Sequence, residues 1–277
     1  MKDKKDKDVV RDIIEKNGDQ IRLNSRLLDL VDSAIENINK RNMRAQSLGL
    51  FKGIVLVLFA RCRKQFKAVQ ILCKEGYGED ACLILRSMIN ALIDISYIKT
   101  DPMKLAKRYV EFDWIAKKKK LNILNKYPSS ESVSLPSKKH GLSEKDILKE
   151  AKQFNEDFPD GSRRSDWSGL KIEEKARKAK NNTLMLYDMG YRYYSDFDHS
   201  NIMSLSSHVD DSTTKGKFIV LSEPSEKQVQ MNLSESFNIF VSLFDIYCET
   251  FELDYSNKIR ELFSEYEKLL QKRDTVF

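Results

Sequence analysis

The chain has 277 residues, of which 41% are hydrophobic and 32% are charged. Its ten glycines and five prolines are too few for the turns of a sandwich, a barrel or a Rossmann fold, so the composition favours long helices. The net charge is +6, and residues 99–180 carry the positive excess, with 21 Lys/Arg against 13 Asp/Glu. This stretch favours a polyanionic partner, although a solvated helical surface has the same composition.

Hydrophobic periodicity predicts an all-α fold: a single bundle of about eight helices, with long central helices and an irregular loop excursion. Residues 1–18 are expected to form a charged extension and residues 19–277 one domain, because neither side of the Ser/Pro-rich loop 127–142 looks complete alone. Asp101 is predicted to be the N-cap of the next helix, and Pro102 its first residue. The predicted helices span residues 19–41, 45–74, 79–99, 102–125, 143–158, 171–180, 183–209, 227–252 and 255–272. A short extended segment is predicted near residues 218–221.

The four cysteines form no Cys-x-x-Cys pair, and three of them lie in apolar helical patterns. They are typical of reduced core residues. The N-terminal MKDKKDKD lacks the apolar segment of a signal peptide, and the longest apolar run, residues 48–60, is too short to span a bilayer. We therefore expect a cytoplasmic protein without membrane contact.

Arg192 and His199 are separated by six residues in the segment YRYYSDFDH. On a continuous helix seven residues turn through about 700°, which places both on nearly the same face, with Ser195 between them and Tyr191 beside them. An imidazole can move protons near neutral pH, and a guanidinium can hold phosphate charge. The alternative interpretation is a hydrogen-bonded network that closes the helix against its neighbours.

Arg86, Asn90 and Asp94 form a second polar stripe, at i, i+4 and i+8 of the most apolar helix. A charge in such a helix needs a partner, so one interpretation is an Arg86–Asp94 ion pair or an ion pair between helices. The functional interpretation is a second wall of the site, in which Arg86 binds phosphate and Asp94 orients His199 or an arginine.

Basic residues next to aromatic ones form a third candidate, for binding single-stranded nucleic acid through phosphate contact and stacking. The aromatic residues are Trp114 and Trp167. The basic residues are Lys117, Lys118, Lys119, Lys120, Arg163 and Arg164. A solvated surface is the alternative. His199 and His208 are nine residues apart, on opposite sides of a helix, so neither a metal site nor a cofactor is expected.

The segment ACLILRSMINALIDISYIKTDPMKLAKRY, with the later DWSGL, KA and YRYYSDFDHS, resembles a bacterial domain-of-unknown-function family, number 5677. The resemblance covers residues 45–210 and implies an all-helical fold without implying a function. Asn90 stands where many relatives have Glu, which weakens an acid or base role there. The matching positions are Leu85, Arg86, Ser87, Trp167, Tyr191, Ser195 and His199.

The Arg-x6-His element also resembles the motif of HEPN proteins (higher eukaryotes and prokaryotes nucleotide-binding). These are all-helical and usually dimeric, and many are metal-independent ribonucleases of toxin and phage-defence systems. Tyr193 departs from the small polar residue that usually follows the arginine. The resemblance implies a homodimer that cleaves RNA with Arg192 and His199, oriented by Ser195 and Tyr191.

Two other functions stay open from the sequence. One is a non-catalytic helical sensor, inhibitor, scaffold or ligand-binding module of a bacterial defence system, in which the polar stripes are structural. The other is a nucleic-acid binder without chemistry, which would bind with a steep salt dependence. Any of the three could act with a partner protein encoded in the same operon.

Overall fold

The computed structural model describes residues 2–41, 48–127, 143–159, 166–179, 182–199, 202–206, 208–210, 219–220 and 222–274. Within these ranges the chain forms twelve α-helices, one π-helical turn and one pair of two-residue strands. The predicted all-α fold is confirmed.

The helices before the long loop begin with a 39-residue helix. They are α1 (Lys2–Lys40), α2 (Gly49–Lys74), α3 (Gly78–Ile98), α4 (Pro102–Glu111) and α5 (Asp113–Lys126). After the loop the chain continues in shorter pieces and ends in two long helices. These are α6 (Glu144–Asp157), α7 (Ile172–Lys178), α8 (Thr183–Leu186), the π-helical turn Tyr187–Tyr191, α9 (Arg192–Asp198), α10 (Ile202–Ser206), β1 (Val209–Asp210), β2 (Ile219–Val220), α11 (Val229–Phe251) and α12 (Ser256–Asp274).

Three boundaries differ from the sequence prediction. Residues 2–18, expected as an extension, belong to α1, because Ile13 and Asn17 are buried and pack this part of the helix against the core. The helix predicted over 102–125 breaks at Phe112, between α4 and α5. The helix predicted over 183–209 is interrupted by the π-helical turn and ends at Asp198.

Two local predictions are confirmed. Asp101 caps α4, since its side chain accepts a hydrogen bond of 3.2 Å from the backbone N–H of Lys104, and Pro102 is the first helical residue. The extended segment predicted near residues 218–221 is β2, which pairs antiparallel with β1.

The chain divides into two compact units, residues 1–95 with 182–277 and residues 96–181. The single domain predicted for residues 19–277 stays a prediction.

Aromatic stacking between α2 and α11 forms the core of the first unit. Phe59 of α2 stacks on Tyr247 of α11 with ring centroids 4.1 Å apart, and Phe66 stacks on Phe240 at 4.5 Å. All four rings are buried. Large rings bury more apolar area than aliphatic side chains do, so this contact makes a large hydrophobic contribution to the stability of the unit.

A buried polar layer joins α1, α2 and α11 beside these rings. The amide of Asn24 donates to Gln70 Oε1 at 2.8 Å and to the backbone oxygen of Leu233 at 3.0 Å. Gln70 in turn donates to Ser236 Oγ at 3.1 Å. Buried polar groups are costly without partners, so this layer favours one register of the three helices.

In the second unit, Trp167 is buried at the centre of a group of polar and aromatic contacts. Its backbone oxygen accepts a hydrogen bond of 2.8 Å from Arg108 Nε, and its ring lies 5.1 Å from that of Tyr109. Lys175 is also buried, and its ammonium donates to Asp166 at 3.0 Å. The indole is therefore not an exposed stacking surface, which corrects the nucleic-acid-binding role predicted for it.

By length and composition α3 is apolar enough to cross a membrane, and 72% of its most apolar window is buried inside the structure. A core helix has the same composition.

Candidate functional site

The segment from α8 to α9 packs on α3 through Gly190. A Cβ atom at this position would lie 3.0 Å from Ile89 Cδ1, so the missing side chain lets the π-helical turn approach the core helix. π-helical turns inside α-helices often accompany functional sites. The turn sets the direction in which α9 begins, immediately before Arg192.

Two adjacent tyrosines fix α9 to the start of α11. Tyr194 is buried and donates to Asn232 Oδ1 at 3.2 Å, and Tyr193 donates to Gln228 Oε1 at 2.9 Å. Burial raises the pKa of both tyrosine hydroxyls, which keeps them protonated as donors at neutral pH. The two contacts hold the inner side of α9 in place.

Arg86 of α3 connects three residues of the π-helical turn and α9. Its Nε donates to Ser195 Oγ at 3.1 Å, its Nη2 donates to Tyr191 Oη at 3.2 Å, and its Nη1 pairs with the carboxylate of Asp198. The guanidinium also lies 5.1 Å from the ring centroid of Tyr191, within the range of a cation–π contact. We call Arg86, Tyr191, Ser195 and Asp198 the Arg86 cluster.

Arg192 and His199 lie outside this cluster, at the two ends of α9. The Arg192 side chain is 68% exposed, and its ion-pair contact with Asp188 is long, at 3.8 Å. The imidazole of His199 is exposed, while its backbone N–H donates to the backbone oxygen of Ser195 at 3.1 Å. The structure thus divides the predicted stripe into a part engaged with α3 and a part in contact with solvent.

The residues of the second predicted stripe have partners of different kinds. Arg86 pairs with Asp198 on another helix. Asp94 is buried and accepts a hydrogen bond of 3.1 Å from Asn90 Nδ2. That Arg86, Asn90 and Asp94 form a second wall of the site stays a prediction.

A comparison with protein families matches residues 52–217 to the family described as "Family of unknown function (DUF5677)". The chain belongs to this family. No curated protein and no solved structure matches it. The DUF5677 match includes every member of the Arg86 cluster and both Arg192 and His199. It ends before α11, so Gln228 and Asn232, which support α9, lie outside it.

Four of the six basic residues predicted to bind nucleic acid lie on α5, and all six fall within the DUF5677 region. Lys119 and Lys120 are exposed, whereas Lys117 and Lys118 are half-buried. Lys117 pairs with Asp113 at 2.7 Å and covers the ring of Trp114 at 4.1 Å. The ring of Trp114 thus already contacts a cation. Arg163 and Arg164 lie outside the described residues.

We looked for a metal site and for a reactive cysteine among the residues that the structure describes. Among these residues, no group of three His, Cys, Asp or Glu side chains converges as metal ligands would. All four cysteines are unpaired and buried, and burial raises the pKa of each thiol to about 12. Such thiols stay protonated and are poor nucleophiles at neutral pH.

The predicted ribonuclease site did not include Asp198, Gln228 or Asn232. The sequence could have indicated Asp198, because a carboxylate three residues after Ser195 lies on the same face of the helix as Ser195, the face that Arg86 contacts. Nothing in the sequence indicated Gln228 or Asn232, since their contacts with Tyr193 and Tyr194 depend on where α11 lies.

Proposed function

We propose that this protein is a HEPN-like, metal-independent endoribonuclease that acts in a bacterial toxin or phage-defence system. One observation carries the proposal: Arg192 and His199 are exposed, whereas Tyr191 and Ser195 are held by Arg86. An exposed guanidinium and an exposed imidazole on one short helix can both contact a phosphodiester that approaches from solution.

The chemistry follows from the two side chains. The imidazole of His199 accepts the proton of a ribose 2′-hydroxyl, and the 2′-oxygen attacks the adjacent phosphorus. Arg192 stabilises the negative charge that develops on the phosphorane oxygens. The bond from phosphorus to the 5′-oxygen then breaks, and that oxygen takes up a proton. The products are a 2′,3′-cyclic phosphate and a 5′-hydroxyl, and no metal ion takes part.

A base and an acid must act on opposite sides of the phosphorus, so one imidazole cannot perform both roles in a single step. The sequence contains three histidines, and the other two are His140 and His208. Because the motif resembles that of HEPN proteins, which are usually dimeric, we place the second imidazole in a second copy of the chain. A homodimer that brings two α9 helices together would supply two Arg192 and two His199 side chains to one cleft.

The basic surface of α5 supports an RNA substrate in the same proposal. The exposed ammonium groups of Lys119 and Lys120, with the half-buried Lys118, can contact phosphates without regard to base sequence. Binding through such contacts is expected to weaken steeply as the salt concentration rises.

The test is cleavage of a mixed-sequence RNA in EDTA by the wild type and by His199→Ala and Arg192→Ala. His208→Ala is the matched control, because His208 is a second exposed histidine of the same unit. We expect cleavage by the wild type and the control, and a loss of at least ~100-fold in the two site variants. Equal cleavage by wild type and His199→Ala would overturn the proposal.

A non-catalytic sensor or scaffold is the second candidate function, and the Arg86 cluster favours it. Arg86, Tyr191 and Ser195 are hydrogen-bonded to one another, which is what a purely structural stripe requires. Purified protein that binds RNA or an anion but cleaves no RNA under the conditions above would support this candidate over the ribonuclease.

A further inference from the structure

The Arg86 cluster lies directly behind the end of α9 that carries His199. Asp198 is the last residue of α9, and His199 follows it. Ser195, which supplies the backbone acceptor for the His199 N–H, also accepts a side-chain hydrogen bond from Arg86. Two residues that set the backbone position of His199 are therefore in contact with the same guanidinium.

The C-terminal end of α9 needs such an anchor, because the helical segment that runs without a break from α8 through the π-helical turn ends there. The last turn of a helix has no following turn to hold it and frays first. Tyr193 and Tyr194 are held near its start, whereas Asp198 is held at its end by Arg86. The exposed imidazole is consequently attached to a backbone that the core helix α3 keeps in place.

We propose that Arg86 and Asp198 are positioning residues for His199, an inference that rests on the proposed ribonuclease activity. Three nitrogens of the guanidinium already donate to Tyr191, Ser195 and Asp198. Arg86 thus acts through the helix end, and the phosphate-binding role that the sequence predicts for it stays a prediction.

The planar shape of the guanidinium is what makes this arrangement possible. It directs donors from Nε, Nη1 and Nη2 along three different directions, whereas the ammonium group of lysine is a single compact centre. Lysine at position 86 keeps the charge but cannot reach all three acceptors. Arg86→Lys therefore tests geometry separately from charge.

The experiment compares Arg86→Lys and Asp198→Asn with the wild type. The matched controls are Arg26→Lys and Glu265→Gln, which alter another arginine–carboxylate pair that joins two helices of the same unit, α1 and α12. For each protein we would measure kcat and KM for RNA cleavage in EDTA, the melting temperature, and the NMR resonances of the His199 imidazole. The chain has three histidines, so loss of a signal in His199→Ala assigns it.

We expect both site variants to lower kcat by about 10- to 100-fold with KM unchanged, because a small displacement of a catalytic group costs this much. The His199 resonances should shift or broaden while those of His208 stay in place, and the controls should match the wild type. Unchanged His199 resonances in both site variants would overturn the inference, as would a raised KM with an unchanged kcat.

The NMR measurement separates failure of this inference from failure of the proposed function. If the wild type cleaves no RNA, the ribonuclease proposal fails, yet the His199 resonances still report whether Arg86 and Asp198 fix that side chain. If Arg86→Lys does not fold, Asp198→Asn decides the question, because Asp198 is 40% exposed and the amide has the same shape.

Discussion

Tyr194 and Asn232 form a hydrogen bond of 3.2 Å that joins α9 to α11 in the interior of the first unit. Asn232 is completely buried. Its amide nitrogen also donates to the backbone oxygen of Gly78 at 2.7 Å and lies 3.3 Å from Cys82 Sγ. One side chain therefore connects the start of α3, the start of α11 and the helix that carries Arg192 and His199.

Replacing Asn232 with alanine should destabilise the fold more than an ordinary polar deletion does. The change leaves the hydroxyl of Tyr194 and the oxygen of Gly78 buried without this partner, and we expect the free energy of unfolding to fall by about 1–3 kcal/mol. Urea denaturation measures it. Asn238→Ala is the control on the same helix, because Asn238 is only part-buried and donates to Tyr266. An equal loss in both variants would contradict the connecting role of Asn232.

Gly78 should be far less tolerant of alanine than Gly53. A Cβ atom at Gly78 would lie 2.3 Å from the backbone oxygen of Lys227, whereas one at Gly53 meets no atom within 4 Å. We expect Gly78→Ala to lower the free energy of unfolding by about 1–3 kcal/mol or more. Gly53→Ala, inside α2, should raise it by about 0.5–1 kcal/mol, since alanine is the better helix former. Thermal or urea unfolding of both variants checks the difference, and a similar stability for the two would contradict the packing at Gly78.

The buried thiols should make the protein less stable at alkaline pH. Burial raises the pKa of Cys62 from 9.0 to about 12, and the other three thiols shift in the same way. In the unfolded chain the thiols ionise above pH 9.0, while in the folded chain they stay protonated until about pH 12. The stabilising contribution is therefore complete below pH 9.0 and is lost as the pH rises towards about 12.

Urea denaturation across this alkaline range, with Cys62→Ala as the comparison, tests the effect. The variant should lose about 1.4 kcal/mol less per pH unit than the wild type does. Identical slopes for the two proteins would show that this thiol does not titrate differently in the folded and unfolded states.

His199→Ala should leave the stability almost unchanged. The imidazole is exposed, and the hydrogen bond that His199 makes to Ser195 uses the backbone N–H, which alanine retains. Surface changes of this kind alter the free energy of unfolding by no more than about 0.5 kcal/mol. A calorimetric melting curve measures it. A large drop in melting temperature would place the imidazole inside a structural network and favour the scaffold function.

Helices with a buried apolar side were predictable from the sequence. The spacing of apolar residues in α2, α3 and α11 places each helix within a few residues of its observed bounds. The same reasoning failed over residues 183–209. There the chain forms a π-helical turn over Tyr187–Tyr191, in which Gly190 packs on Ile89, and the spacing of apolar residues does not indicate such a turn.

The candidate site was only half predictable for a related reason. A charged residue in the middle of an apolar helix, such as Arg86, needs a partner, and the sequence indicated this need. It could not choose between Asp94, eight residues away, and Asp198, 112 residues away, because that choice depends on how α9 packs against α3. In the tyrosine-rich stripe, Arg192 and His199 are exposed, whereas Tyr191 and Ser195 contact Arg86. Which residues of the stripe are exposed also depends on tertiary packing.

In the proposed mechanism, His199 promotes RNA cleavage by attack of the 2′-hydroxyl, without a metal ion. The most direct test is end-group analysis of the RNA products that the purified protein forms in EDTA, with His199→Ala and His208→Ala in parallel. We expect 2′,3′-cyclic phosphate and 5′-hydroxyl ends from the wild type and His208→Ala, and intact RNA with His199→Ala. Products with 3′-hydroxyl and 5′-phosphate ends, or the same products from His199→Ala, would contradict it.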